Sequence, residues 1–322
     1  MVATAMVTLD DIMAALDRIR DDVRVTPMQA SPSLSQIAGG PVWLKCEYRQ
    51  TTGAFKLRGA TNAVARVGKV AGVTTASTGN HGRALAHAAR ARGIPAIICM
   101  SRLVPQNKLD AIAELGAEAR IIGDSQDEAF LEAIRLQRDE GFALIPPFDH
   151  PDVIAGQGTL GLEILDQVPD AATIAIPLSG GGLLAGVAAA AKALRPDIRI
   201  VGISMQRGAA MAASLDAGHP VEIRELETLA DSLGGGIGLK NRLTFPMVRD
   251  LMDDLILLSE DQIADGLRHL AQDGHRVEGA AAVCAGAVLS GRLRADDGPL
   301  VLILSGENID PARHAAILQE AS

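Results

Sequence analysis

Four short stretches of this chain carry side chains that could do chemistry. The first is TGAFKLRGA, Thr52 to Ala60, where Lys56 lies between Phe55 and Leu57 among small or apolar neighbours. A desolvated lysine has a lowered pKa and can act as a nucleophile or a Schiff-base donor. Taken alone, it reads as an ordinary surface lysine at a helix start, with Arg58 as a salt-bridge former. The second is the turn Ser77, Thr78, Gly79, Asn80 and His81, between an apolar run and a helical pattern. Its hydroxyls and the free N–H groups of the helix start can grip an anion such as a substrate carboxylate, or serve only as a helix cap. Asn80 can donate to a phenolate-type oxygen, and a turn histidine such as His81 is commonly structural. The third is SGGGLLAG, in which Gly180, Gly181 and Gly182 let the backbone approach a phosphate at a helix N-terminus. A dinucleotide site would need GxGxxG and an acidic residue about 20 positions on. The spacing here is GxGxxxG, and the next strand ends in Ser204, Met205, Gln206 and Arg207. The loop alone therefore says phosphate, with Arg207 leaving an NADP reading open. The fourth is Ser305, at the end of the apolar run GPLVLILS, where α/β proteins present functional groups.

The elements that must position these residues follow from periodicity. Candidate strands are Val42–Tyr48, Val73–Ser77, Ala96–Met100, Ala119–Ile122, Thr173–Ser179, Arg199–Met205, Leu255–Ser259 and Val301–Ser305. Helical spacing fills many of the gaps, as in Gly82–Arg92, Pro105–Leu115, Ser125–Arg138 and Leu183–Leu194. Such alternation predicts parallel sheets with crossover helices, and runs such as VLILS suit strands buried on both faces. The prolines at 146, 147 and 151 suggest a hinge. We expect a small α/β unit, about 53–150, inserted into a larger one built from 1–52 and 151–322.

Composition narrows the classes. A chain of 322 residues, 48% hydrophobic, can bury a sizeable core. The formal charge of −9, without a basic tract, argues against nucleic-acid binding. Cys46, Cys99 and Cys284 are far apart and form no CxxC pair, so buried free thiols in a reducing cytoplasm are expected. The N-terminus lacks the pattern of a signal peptide, and the alanine-rich stretch 279–289 is too short to span a bilayer.

Taken together and in order, TGAFKLRGA, STGNHG, VPQNKLDAIAELGAE, PPFDHPDVIAGQGTLGLEI, SGGGLLAG and SGEN resemble the fold-type II pyridoxal-phosphate (PLP) enzymes of the serine/threonine dehydratase family. Within it, VGISMQRGAAM and LADSLGGGIG look most like the hydroxyectoine-utilisation dehydratases. The resemblance covers nearly the whole chain. It implies a two-domain α/β fold like the tryptophan synthase β chain, a homodimer, and a PLP-dependent lyase acting on a β-hydroxy amino acid. Lys56 would carry the cofactor as a Schiff base and later remove the Cα proton. Phe55 would pack beside the ring, and Asn80 would hydrogen-bond its hydroxyl oxygen. Gly180, Gly181, Gly182 and the Leu183 amide would cradle the phosphate, and Ser305 would face the pyridine nitrogen. Ser77, Thr78, Gly79 and His81 would hold the substrate carboxylate.

The departures from the family pattern also carry expectations. Ser204 and Ala210 stand where related enzymes have metal-binding carboxylates, so no metal is expected there. Ala230-Asp231-Ser232 replaces ADG, and Glu307 replaces a glycine of SGGN. Thr78 keeps a hydroxyl where family racemases use a serine for proton transfer, which leaves racemase activity open. Glu278 matches a family glutamate near the cofactor, or is an exposed helix-start residue. No separate regulatory module is expected after SGENID. The competing classes are an NADP-dependent oxidoreductase and a non-catalytic module that binds a PLP–amino acid adduct.

Overall fold

The computed structural model describes residues 6–77, 79–104 and 106–319. Its strands are β1 (Met28–Ala30), β2 (Val42–Cys46), β3 (Gly72–Ala76), β4 (Ala96–Met100), β5 (Glu118–Ile121), β6 (Phe142–Leu144), β7 (Thr173–Pro177), β8 (Arg199–Met205), β9 (Asp254–Leu258) and β10 (Leu300–Leu304). Its helices begin with α1 (Leu9–Ile19), α2 (Pro32–Ala38), α3 (Lys56–Arg66), α4 (Asn80–Ala91), α5 (Gln106–Glu114), α6 (Gln126–Glu140) and α7 (Pro151–Gln167). They continue with α8 (Gly182–Leu194), α9 (Ala210–Ala217), α10 (Thr244–Leu251), α11 (Glu260–Gln272), α12 (Gly279–Leu289) and α13 (Pro311–Gln319).

Two sheets result. The larger has the order β1-β2-β10-β7-β8-β9 and is parallel except for β1 on β2. The smaller has the order β5-β4-β3-β6 and is parallel throughout. In β10 the side chains alternate between two cores. Leu300, Leu302 and Leu304 join α2, α11 and α12 on one face, while Val301 and Ile303 join α7, α8 and α10 on the other. Both faces are covered, which is why LVLIL reads as an unbroken apolar run. The small sheet is covered in the same way, by α3 and α4 on one face and α6 on the other.

The α/β architecture with mainly parallel sheets is the expected one, and differences lie at the edges. β1 and β6 have three residues each, too few for a period to mark them as strands. The expected strand Val42–Tyr48 ends at Cys46, because Glu47–Arg49 turns into a 3-10 helix that carries Glu47 toward Arg58. The expected hinge at 146–151 is tied down at three successive residues. Pro147 accepts a hydrogen bond from Lys56, Phe148 packs on the 180–182 loop, and Asp149 accepts from three backbone N–H groups at the start of α10.

Candidate active site

The Lys56 loop is laced to the end of the central strand. Phe55 N–H donates to the Ser305 carbonyl at 3.0 Å, and Glu307 N–H donates to the Gly53 carbonyl at 2.9 Å. Ala54 bridges Gly306, whose carbonyl accepts from Glu278 N–H at 3.0 Å. Lys56, Ser305 and Glu278, far apart in the chain, are brought together by these bonds. A Cβ on Gly306 would lie 2.9 Å from Glu278 Oε1 and 3.2 Å from Ala54 Cβ, so only glycine leaves room.

Lys56 is the first residue of α3, and its Nζ donates to the Pro147 carbonyl at 2.8 Å. Burial lowers its pKa to about 8, opposed by the charge of Glu278. The Phe55 ring centroid is 5.2 Å from Nζ. Two residues on, the Arg58 guanidinium is fully buried between two carboxylates. It donates to Glu47 at 2.8 Å and to Glu163 at 2.6 Å, and Lys45 Nζ completes the cluster 2.8 Å from Glu163. The start of α3 is thus pinned to β2 and α7. The ion pair expected of Arg58 is present, but as a buried network.

At the start of α4, Ser77 Oγ accepts from Gly79 N–H and Gly82 N–H, each at 3.3 Å. Thr78, expected in both catalysis and carboxylate binding, lies outside the described residues. The His81 ring is buried, and its Nε2 lies 2.9 Å from the Ile145 carbonyl, which can only accept. Burial pushes its pKa down to about 3, so the ring is neutral and Nδ1 is a bare acceptor. The ring has no N–H to offer a carboxylate, and what remains for that role is the backbone N–H in the first turn. Asn80 is buried, donating to Glu278 at 2.9 Å and accepting from Asn308 at 2.6 Å.

After β7 the chain turns through Gly180, Gly181 and Gly182 into α8. Gly181 has φ +87°, and Cβ atoms on Gly180 or Gly182 would press on Phe148. Gly180, Gly181, Gly182 and Leu183 are all buried. The first-turn N–H groups of α8 have no intrahelical acceptor, and no side chain caps them. The starts of α3, α4 and α12 likewise lack a side-chain bond from the N-cap residue. By contrast, α1, α2, α6, α7 and α11 are each capped by their own N-cap side chain. Of these starts, α8 opens at the buried glycine turn, where free first-turn N–H groups suit an anion, whereas at α4 one of them, Gly82 N–H, is taken by Ser77 Oγ. Ser305, at the end of β10, is buried beside Phe55.

Three participants were hidden or ambiguous in the sequence. Glu278 is buried rather than exposed, its Oε2 has no partner among the described residues, and burial raises its pKa to about 7. The signal was the apolar, mostly small-residue helix that follows it, whose burial from Gly279 to Val288 carries the preceding residue inside. Asn308 and the Pro147–Phe148 pair are the others. At the expected metal-free position, Ser204 Oγ turns to Met205 Sδ at 3.4 Å and Ala210 opens α9. Among the described residues no three His, Cys, Asp or Glu side chains gather where a metal ion could sit, and no helix is long and apolar enough to cross a membrane.

The residues present fit pyridoxal phosphate. A lysine of lowered pKa suits the aldehyde, the glycine-lined start of α8 suits the phosphate, and Asn80 has an N–H for a ring oxygen. Comparison with known proteins agrees. A family model described as "Pyridoxal-phosphate dependent enzyme" matches residues 19–306. A Sinorhizobium fredii protein provisionally named a threonine dehydratase is 53% identical over 97% of this chain and 95% of its own. The catabolic L-threonine dehydratase of Escherichia coli is 37% identical over 97% of this chain and 96% of its own. The structure of maize serine racemase superposes with a TM-score of 0.91 at 34% identity, covering 98% of each chain. With that family model matching residues 19–306 and such relatives covering nearly its whole length, this chain belongs to the pyridoxal-phosphate dependent enzymes of fold type II.

Proposed function

We propose that this protein is a lyase that eliminates water from a small β-hydroxy amino acid of the threonine or serine type and releases a keto acid and ammonia. The observation that carries the reading is the amine of Lys56. It is drawn to a pKa of about 8 and donates to the Pro147 carbonyl, next to the Phe148 that walls the glycine turn opening α8. The threonine dehydratase names of the relatives support it.

Bound here, pyridoxal phosphate would supply the electron sink for a negative charge at the substrate Cα. The chain does the rest. Gly180, Gly181, Gly182 and the Leu183 amide hold the phosphate, Phe55 flanks the ring, and Asn80 donates to the ring oxygen. Ser77, Gly79 and the first-turn amides of α4, His81 among them, hold the substrate carboxylate. Lys56 holds the cofactor and then takes the Cα proton, which a neutral amine can do near neutral pH. Ser305 offers the ring nitrogen a hydroxyl and no charge. A neutral hydroxyl in place of a carboxylate would make the bound ring a weaker electron sink, which suits loss of a β leaving group.

The same reading takes 53–150 as a small domain and 1–52 with 151–322 as the large PLP-binding one, in a cytoplasmic homodimer. The second sheet supports this division, since its strands fall between residues 72 and 144. As the finer assignment, the substrate is a hydroxylated diaminobutyrate derived from hydroxyectoine, on the strength of VGISMQRGAAM and LADSLGGGIG. The test is a panel of threonine, serine, 3-hydroxyaspartate and that compound, scored by keto-acid and ammonia release. Fastest release from the hydroxyectoine-derived compound upholds the assignment. Fastest release from threonine or serine leaves the lyase and removes the pathway, and release from none of the four removes the lyase. Racemisation of serine in the same assay would mark a racemase activity, the activity named for the maize structure.

A further inference from the structure

Asn80 is held between two groups of opposite polarity. Its Oδ1 accepts from Asn308 Nδ2 at 2.6 Å, and its Nδ2 donates to Glu278 Oε1 at 2.9 Å. Asn308 Nδ2 also donates to the Thr52 carbonyl at 3.0 Å. The ends of this chain set its direction. A backbone carbonyl only accepts, so Asn308 must turn its NH2 toward Thr52 and Asn80. Asn80 then turns its Oδ1 to Asn308, which leaves its NH2 to face Glu278, and the ionised form of that carboxyl group can only accept it. Turning the Asn80 amide over would set oxygen against carboxylate at one end and NH2 against NH2 at the other. One Nδ2 hydrogen of Asn80 stays uncommitted, and the side chain therefore offers a third group a donor.

Glu278 has no evident structural reason to be here. It is the N-cap residue of α12, yet its side chain makes no capping bond. Its Oε2 is buried without a partner among the described residues, an arrangement that costs stability. Space for it exists because residue 306 is glycine. Around it stand Asp231 and Ser232 from the turn at 231–233, Lys56 from α3, Asn80 from α4 and Asn308 beyond β10.

We infer that Glu278 is a positioning residue that fixes the Asn80 carboxamide so that an N–H, and not the carbonyl, meets the ring oxygen of bound pyridoxal phosphate. The inference rests on the role given to Asn80 above. It names the device that sets which end of that amide faces the cofactor.

The experiment is a double-mutant cycle read by cofactor affinity and by the absorbance of the bound cofactor, both independent of turnover. Apoprotein of each variant is titrated with pyridoxal phosphate. Glu278→Met removes the acceptor and is expected to weaken binding roughly tenfold and to move the absorbance maximum. Glu278→Gln keeps an acceptor and should stay within about threefold of the unsubstituted protein. In an Asn80→Ala background, titrated at a pH where Lys56 is neutral in every variant, Glu278→Met should add nothing. Equal weakening with and without Asn80, or a Gln variant as weak as the Met variant, overturns the inference. Should Glu278→Met not fold, Glu278→Ala goes through the same cycle, since water in the space accepts and donates alike and imposes no direction. If the unsubstituted protein takes up no pyridoxal phosphate, the functional reading fails and this inference with it. If it binds and only the cycle fails, this inference alone is lost.

Discussion

At Lys56 two influences on one amine oppose each other. Burial disfavours the ammonium, and the Glu278 carboxylate favours it; burial wins, leaving a pKa of about 8 against an ordinary 10.5. At pH 7 roughly a tenth of such amines are neutral, against fewer than about one in a thousand for an ordinary lysine. Capture of the aldehyde needs the neutral form. The rate at which apoprotein takes up pyridoxal phosphate should therefore rise with pH and reach half its maximum near pH 8, measured by stopped-flow absorbance. Glu278→Gln removes the influence that raises the pKa, so its midpoint should fall below that of the unsubstituted protein. A midpoint near 10 in both would show an exposed lysine. None of this environment is readable at position 56. Phe55 and Leu57 hint at a dry setting, but the groups that make it so, Glu278, Pro147 and Ser305, stand in distant parts of the chain.

The elements were more legible than the residues. Strands β4 and β10 are continuous apolar runs because sheets covered on both faces demand them, so their extents could be read almost to the residue. β1 and β6 were not, since their pairing to β2 and β3 alone makes them strands. The glycine loop before α8 was legible as a phosphate site, but not its wall. Phe148 supplies that wall from a segment read as a hinge. Gly180→Ala would drive a methyl group into the Phe148 ring and displace the loop. Cofactor affinity should fall at least about tenfold, while Gly68→Ala, at a position with open space around it, should leave it unchanged. Equal affinities in a spectroscopic titration would mean that the loop does not form the phosphate cradle.

Across the whole molecule, the site lies where the end of a central strand of the large sheet meets the segments around the small one. The buried cluster of Lys45, Glu47, Arg58 and Glu163 ties β2, α3 and α7 into one support behind Lys56. Its members are scattered in sequence, so only Arg58 suggested an ion pair, and not one inside the core. Arg58→Leu would leave two buried carboxylates without their shared partner. It should cost about 3–5 kcal/mol of stability, seen as a lowered urea midpoint. The account as a whole stands on Lys56 as the cofactor anchor of a lyase. Its most direct test compares the purified protein with Lys56→Ala for visible absorbance and for keto-acid release from β-hydroxy amino acids. The account predicts a yellow protein that releases keto acid and ammonia, and a colourless, inactive variant. A protein that ignores added pyridoxal phosphate, or a variant that turns over substrate undiminished, would contradict it.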